Sequence, residues 1–320
     1  MTINLSSKQL IFITGKGGVG KTALTAALSR SLAATGRRVL AVELSAGGSL
    51  ARCFGREEAQ YVPQEVSAGL HTCRLTPGEC LHEYGHMKLK FRRFYRAVFE
   101  NPFVRSLVSM TPGMEELLLL GKLGNVNGAM ARGQARAPWD IVVVDAPPTG
   151  QGTGLFALPT IILGAVSTGP LAKETRALQE LLQDEQRTAI LIVSAPEELA
   201  VNEALEQVTA LRDDAHLPVR AIVANRVLPE LRAPEDEEVL RNFAQARRTR
   251  DLMTGTYPLV STALRMLGLR RQQEAELVRL RRRTTIPIFE IPLISEGFVG
   301  PCGDERLEQA LAPLLLQDEE

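Results

Sequence analysis

The sequence predicts an α/β protein built on a doubly wound, mainly parallel sheet. Three observations predict it. Short apolar runs recur along the chain, helical segments separate them, and the first run leads through a glycine-rich turn into a helix. Runs without polar alternation bury both faces, as strands do in a parallel sheet covered by helices. Parallel strands need right-handed crossovers, which usually wind helices over both sides.

Each element can be justified in order. "QLIFIT", residues 9–14, is a continuous apolar strand, and "TALTAALSRSLAATG" after the turn is a helix ended by Gly36. "RVLAVEL" is the second strand. "DIVVVDAP" at 140–147, "TAILIVSAP" at 188–196, "RAIVANRV" at 220–227 and "IPIFEIPL" at 286–293 continue the series. Residues 79–135 are mostly helical in pattern, and residues 231–283 are polar and charged. With no internal repeat or low-complexity linker, the expected organisation is one domain over residues 1–320. A helical insertion at about 79–135 and a charged helical excursion at about 231–283 interrupt it.

Composition narrows the function classes. The chain has 320 residues, 45% of them hydrophobic and 23% charged, an ordinary globular balance. Its 37 basic and 37 acidic residues cancel. A sequence-independent DNA binder carries a net positive field, so nucleic acid is not the expected partner. Cys53, Cys73, Cys80 and Cys302 form no C-x-x-C pair, and free thiols fit a reducing cytoplasm. "MTINLSSKQL" does not read as a signal peptide, and no apolar run approaches the roughly 20 residues of a membrane span. The expected location is the cytoplasm.

"GKGGVGKT", Gly15 to Thr22, fits G-x-x-x-x-G-K-[ST] between a strand and a helix, the context that gives the motif its meaning. Glycines let successive N–H groups turn toward phosphate oxygens, and the helix adds its positive end. Lys21 would reach the β- and γ-phosphates, and the Thr22 hydroxyl would hold Mg²⁺. A plain glycine turn between core elements would leave both lysines unexplained.

With Lys16 just after its first glycine, the loop resembles the deviant Walker A form of the dimeric P-loop family containing MinD, ParA, nitrogenase iron protein and the arsenical-pump ATPases. The resemblance implies an ATP-dependent dimer in which Lys16 reaches the partner's nucleotide. The alternative for Lys16 is a solvated loop lysine. By the same resemblance Gly15, Gly17, Gly18, Val19, Gly20, Lys21, Thr22 and Ala23 would line the nucleotide.

"VVVDAPPTGQGTGLFALP", Val142 to Pro159, is similar to the second switch of the ArsA-like and tail-anchored-protein-targeting ATPases, commonly written D-T-A-P-T-G-H. Asp145 ends an apolar strand, where a Walker-B aspartate supports the metal. Gly150 would offer an N–H to the γ-phosphate, and Gln151 stands where the family has histidine. "IVANRV" resembles the strand end whose asparagine reads adenine, which assigns Asn225, with Arg226 beside it, to the base and favours ATP. "FEIPLISEGFVG" resembles the loop packed on the base, with Pro292 and Leu293 as contacts. "SMTPGMEELLLLGKL" resembles the family's proline-glycine stretch.

Departures matter as much. No cysteine occurs in 231–285, so the zinc clamp of the eukaryotic targeting branch is not expected. The four cysteines do not reproduce an arsenite-sensing set and read as small buried residues. Where the family places a water-orienting aspartate, this chain has Ser45. Loss of that group slows hydrolysis by orders of magnitude while leaving binding intact. Three readings stay open. Glu43 could substitute, sharing a face with Ser45 if its strand persists; turnover could be weak and complemented by a paralogous ATPase in a heterodimer; or the loop could be out of register.

In the targeting branch, helices equivalent to part of 79–135 build a client groove. Met87, Phe91, Phe94, Phe99, Phe103, Met110 and Met114 permit one, although helically spaced apolar residues more often face their own core. Lys88, Lys90, Arg92, Arg93 and Arg96 read as a solvated face. Arg279, Arg281, Arg282 and Arg283 read as a helix end complementing its dipole. The acidic C-terminus lacks the basic amphipathic character of a membrane anchor. The expected function is a Mg²⁺-ATP-dependent, ArsA-like dimeric ATPase that switches a surface for a protein client. A nucleotide-sensing subunit is the runner-up, and a ParA/MinD-like positioning ATPase is third.

Overall fold

Strands that are apolar on both faces can satisfy their backbone only by pairing side by side and being covered above and below. The chain does this in one eight-stranded sheet with the order β3-β4-β2-β5-β1-β6-β7-β8. The strands are β1 (Leu10–Gly15), β2 (Val39–Glu43), β3 (Gln64–Ser67), β4 (Leu70–Arg74), β5 (Ile141–Asp145), β6 (Thr188–Ser194), β7 (Val219–Val227) and β8 (Ile288–Pro292). All neighbouring pairs are parallel except β3 against β4. The computed structural model describes residues 3–44, 47–88, 113–126, 138–230, 238–242, 256–294 and 305–315.

Helices are α1 (Lys21–Ala34), α2 (Ser49–Cys53), α3 (Pro77–Lys88), α4 (Met114–Val126), α5 (Thr149–Ala165), α6 (Pro170–Gln183), α7 (Glu198–Val208), α8 (Thr256–Arg283) and α9 (Glu305–Leu311). Two apolar layers result, one on each side of the sheet. Leu24 and Leu28 of α1, Leu50 of α2 and Leu307 of α9 pack on Ile11, Ile13, Ala41 and Val143. On the other side Leu120 of α4, Phe156 of α5, Leu181 of α6 and Val201 of α7 pack on Phe12, Val42 and Val144. Phe12 and Phe156 meet edge to face at 5.0 Å, an arrangement that aromatic rings prefer to a flat sandwich. α8 covers the far end, where Leu277 packs on Ala224 and Val227.

The hairpin β3–β4 and the short α2 have no counterpart in the expected series. β3 alternates half-buried and exposed residues at the sheet edge, so no apolar run announces it. The predicted insertion begins as helix, since α3 starts at Pro77 and α4 follows. Phe91, Phe94, Phe99, Phe103 and Met110, with Lys90, Arg92, Arg93 and Arg96, lie outside the described residues. The charged excursion contains α8, 28 residues long. No described helix is long and apolar enough to cross a membrane.

Candidate nucleotide site

β1 lies between β5 and β6, and chain connections leave it in both directions, so a crevice opens at its carboxyl end. The glycine loop fills that position. Gly15 adopts φ +140°, and a Cβ there would lie 2.1 Å from the Val193 carbonyl oxygen of the neighbouring strand. Gly20 caps α1 in the left-handed region at φ +101° without a side-chain cap, which leaves first-turn N–H groups for an anion. α5, also without a side-chain cap, begins beside it after Pro148. A Cβ at Gly17 would meet Pro148 Cβ at 3.9 Å, so the β5–α5 corner lies against the loop. Gly150 is in the first turn of α5. Val19 is buried, and Ala23 packs against the same core.

Lys21 is buried and folds back over the loop, its Nζ donating to the Gly15 and Lys16 carbonyls, both at 3.0 Å. Burial lowers its pKa, and the nearby Asp145 opposes that shift. At the second residue of α1, Thr22 Oγ1 donates to Asp145 Oδ2 at 2.6 Å. Asp145 is 3% exposed, and its other oxygen, Oδ1, is buried without a hydrogen-bond partner. Burial pushes its carboxyl up to about 6; the Thr22 hydroxyl pulls it down, Glu43 adds to the rise, and Lys21 also pulls it down. A hydroxyl, a carboxylate and an orphaned carboxylate oxygen are hard donors, so this pair fits Mg²⁺.

Glu43 sits beside Asp145 in the sheet register, on the same face. It is 1% exposed, and its carboxylate accepts from Ser49 N at 2.9 Å, Ser49 Oγ at 3.0 Å and Leu50 N at 3.2 Å. This carboxylate therefore holds the first turn of α2. β2 ends at Glu43, two residues before Ser45. Ser45 itself lies outside the described residues.

Lys16 Nζ pairs with Glu203 of α7 at 2.9 Å, both side chains partly exposed. Gln207, one turn further, donates to Thr14 Oγ1 at 3.2 Å and ties α7 to the end of β1. Neither Glu203 nor Gln207 was singled out from sequence, since an acidic amphipathic helix gives no local sign of which residues meet the loop.

Asn225 reaches the loop directly. Its Nδ2 donates to the Val19 carbonyl at 2.8 Å, and its Oδ1 accepts from Arg226 N at 3.0 Å. A Cβ on Gly20 would be 2.4 Å from that Nδ2. The amide expected to read adenine is thus seated on the phosphate loop. Arg226 is exposed and left-handed at φ 64°. Pro292 and Leu293 are exposed beside it, and Leu293 N donates to the Val227 carbonyl at 2.7 Å. Cys53, Cys73 and Cys80 are buried and not disulfide-bonded. Burial raises the Cys73 thiol to about 12 and the Cys80 thiol to about 11, so neither offers a thiolate at neutral pH. Cys302 lies outside the described residues.

A family model described as anion-transporting ATPase matches residues 8–168 and 166–253. The chain is 27% identical over 310 residues to ATPase BagA of Mycobacterium tuberculosis, covering 92% of this chain and 89% of that protein. It is 25% identical over 244 residues to an arsenical pump-driving ATPase of Acidiphilium multivorum, covering 71% of this chain and 40% of the relative.

Proposed function

Because the chain belongs to the anion-transporting ATPase family, we propose that it is a Mg²⁺-dependent ATPase that works as a dimer and whose nucleotide cycle switches a surface for a protein client or partner. The observation that carries the reading is the Thr22–Asp145 pair with its orphaned Oδ1, one residue from Lys21 at the uncapped head of α1. Thr22 and Asp145 are the residues that would hold Mg²⁺, which when bound neutralises charge on the phosphate oxygens. Lys21 exchanges two carbonyl partners for the β- and γ-phosphates. The N–H groups of the loop and of the first turn of α5, Gly150 among them, orient the terminal phosphate for attack by water. Lys16 leaves Glu203 and reaches the partner's nucleotide. Asn225, Arg226, Pro292 and Leu293 form the base end. We further place the protein in the cytoplasm, a reading supported by buried cysteines that form no disulfide among the described residues.

A second reading, a low-turnover sensing subunit beside an active paralogue, is favoured by one observation: Glu43 is occupied with α2. Steady-state ATP turnover, with Lys21→Ala as blank and Ser45→Asp alongside, separates the two. Wild-type turnover well above blank supports the self-sufficient ATPase. Tight ATP binding with blank-level turnover, restored by Ser45→Asp, supports the sensing subunit. Failure of the wild type to bind Mg²⁺-ATP at all would sink both.

A further inference from the structure

β7 carries one residue too many for its partner. Ala224 pairs with Glu290 and Val227 with Pro292, so three steps on β7 match two on β8. The extra residue makes a bulge, and bulges beside active sites re-aim side chains. Here Asn225 is turned onto the Val19 carbonyl, while Arg226 absorbs the turn in a left-handed conformation that non-glycine residues avoid. Such a conformation persists only where the surroundings hold it.

What holds it comes from α8. Gln273 Oε1 accepts from Leu228 N at 2.8 Å, and Gln273 Nε2 donates to the Arg226 carbonyl at 3.2 Å. The two bonds bracket Val227, whose own carbonyl accepts from Leu293 N. A primary amide accepts with its oxygen and donates with its nitrogen here; a carboxylate could make the first bond and not the second. One turn along the same face of α8, Leu277 is fully buried against Ala224 and Val227, and Arg270 on that face pairs with Glu230 just past β7. The helix is thus registered on the bulge by packing, with the amide closing it.

We propose that Gln273 is a positioning residue for the nucleotide site: from helix α8 it locks the β7 bulge that seats Asn225 on the phosphate loop and anchors the segment bearing Pro292 and Leu293. This rests on the ATPase reading above. The bulge is the hub joining three parts: the loop through Val19, the base end through Leu293, and α8 through Gln273. A change in the position of α8 therefore alters nucleotide affinity, and nucleotide binding in turn biases α8, since coupling of this kind is reciprocal.

The test uses the full chain with Mg²⁺ and measures the ATP and ADP dissociation constants, KM and kcat, and the melting temperature without nucleotide. Gln273→Met keeps the side-chain length and removes both polar bonds; Gln273→Glu keeps the acceptor alone. Gln273→Met is expected to weaken ATP and ADP alike by roughly three- to tenfold, the range set by one or two neutral hydrogen bonds. KM rises and kcat stays within about twofold, because binding is lost equally from ground and transition states. Gln273→Glu recovers part of the affinity. Combined with Asn225→Ala, Gln273→Met adds little further loss, since both act through one contact. A Gln273→Met protein that melts lower yet binds ATP as the wild type does would overturn the proposal, leaving Gln273 a helix contact only. Full additivity with Asn225→Ala would overturn the route through the bulge. If the wild type itself bound no Mg²⁺-ATP, the ATPase reading would fall first.

Discussion

Asp145→Asn should stabilise the nucleotide-free protein above pH 6 and leave its stability nearly unchanged near pH 4. The carboxyl is 3% exposed with Oδ1 unpartnered, and its pKa rises from 3.8 to about 6, mainly through burial. The folded state holds this proton where the unfolded chain has already released it. Stability therefore falls as pH rises from about 4 to about 6 and is flat above, because the native state binds more protons across that window. At about 1.4 kcal/mol per pH unit, the ionised carboxylate costs the apo fold about 3 kcal/mol at pH 8. Asparagine keeps an oxygen for the Thr22 hydroxyl and carries no charge, so it escapes that cost. For a chain of this length the gain is about 4 °C in melting temperature. The assay is thermal unfolding of wild type and variant in chelator at pH 8 and at pH 4.5. Equal melting temperatures at pH 8, or the same shift at both pH values, would refute the buried-carboxylate argument. The variant should also lose Mg²⁺-dependent tightening of ATP, so a cost to the apo fold and a gain to the loaded one trace to the same oxygen.

Two further outcomes test the loop. Glu203→Gln releases Lys16 from a partly exposed pair worth about 0–1 kcal/mol, so stability changes little; in sedimentation the proposed ATP-driven dimer should tighten by about two- to fivefold, whereas Lys16→Ala should abolish it. A dimer unaffected by either change would remove Lys16 from the interface. Gly20→Ala sets a Cβ 2.4 Å from Asn225 Nδ2 at φ +101°. It should cost about 2 kcal/mol in denaturant unfolding and expel Asn225 from Val19, so ATP binding at wild-type strength in that variant would contradict the seating described.

The middle of the sheet could be read from sequence because β2, β5, β1, β6 and β7 are nearly pure apolar runs. β1, β2, β5, β6 and β7 lie within "QLIFIT" and the following glycine, "RVLAVEL", "DIVVVDAP", "TAILIVSAP" and, with one residue before it, "RAIVANRV". Lys21, Thr22 and Asp145 were legible for a related reason: they follow directly on strands or on a glycine turn, so local chain geometry fixes them. β3–β4 was not: β3 is an edge strand with one wet face, and β4, an inner strand, carries His71, Thr72 and Arg74 among its five residues. Nor was the work of Glu203 or Gln273, whose partners lie 187 and 45 residues away in the chain. Arg226 hid the bulge, because a turn at positive φ is normally announced by glycine, and here the cost is offset by contacts with a helix far along the sequence.

Glu43 shows how such distant contacts decide between functions. Seen in sequence, it is one carboxylate two residues before Ser45 and is free to take over a missing role. In the fold it holds the amino end of α2 through three donors and lies against Asp145, whose own charge it disfavours. Hydrogen bonds to a charged group contribute about 1.5–3 kcal/mol each. Turning Glu43 toward an attacking water would forfeit several of them, so it requires α2 to move as nucleotide binds. α2 begins at Ser49, four residues after Ser45. If Glu43 is the water-orienting group of a self-sufficient enzyme, nucleotide binding must be coupled to a shift of α2. A sensing subunit has no such need, and the Ser45→Asp experiment distinguishes the two by supplying the charge without moving the helix.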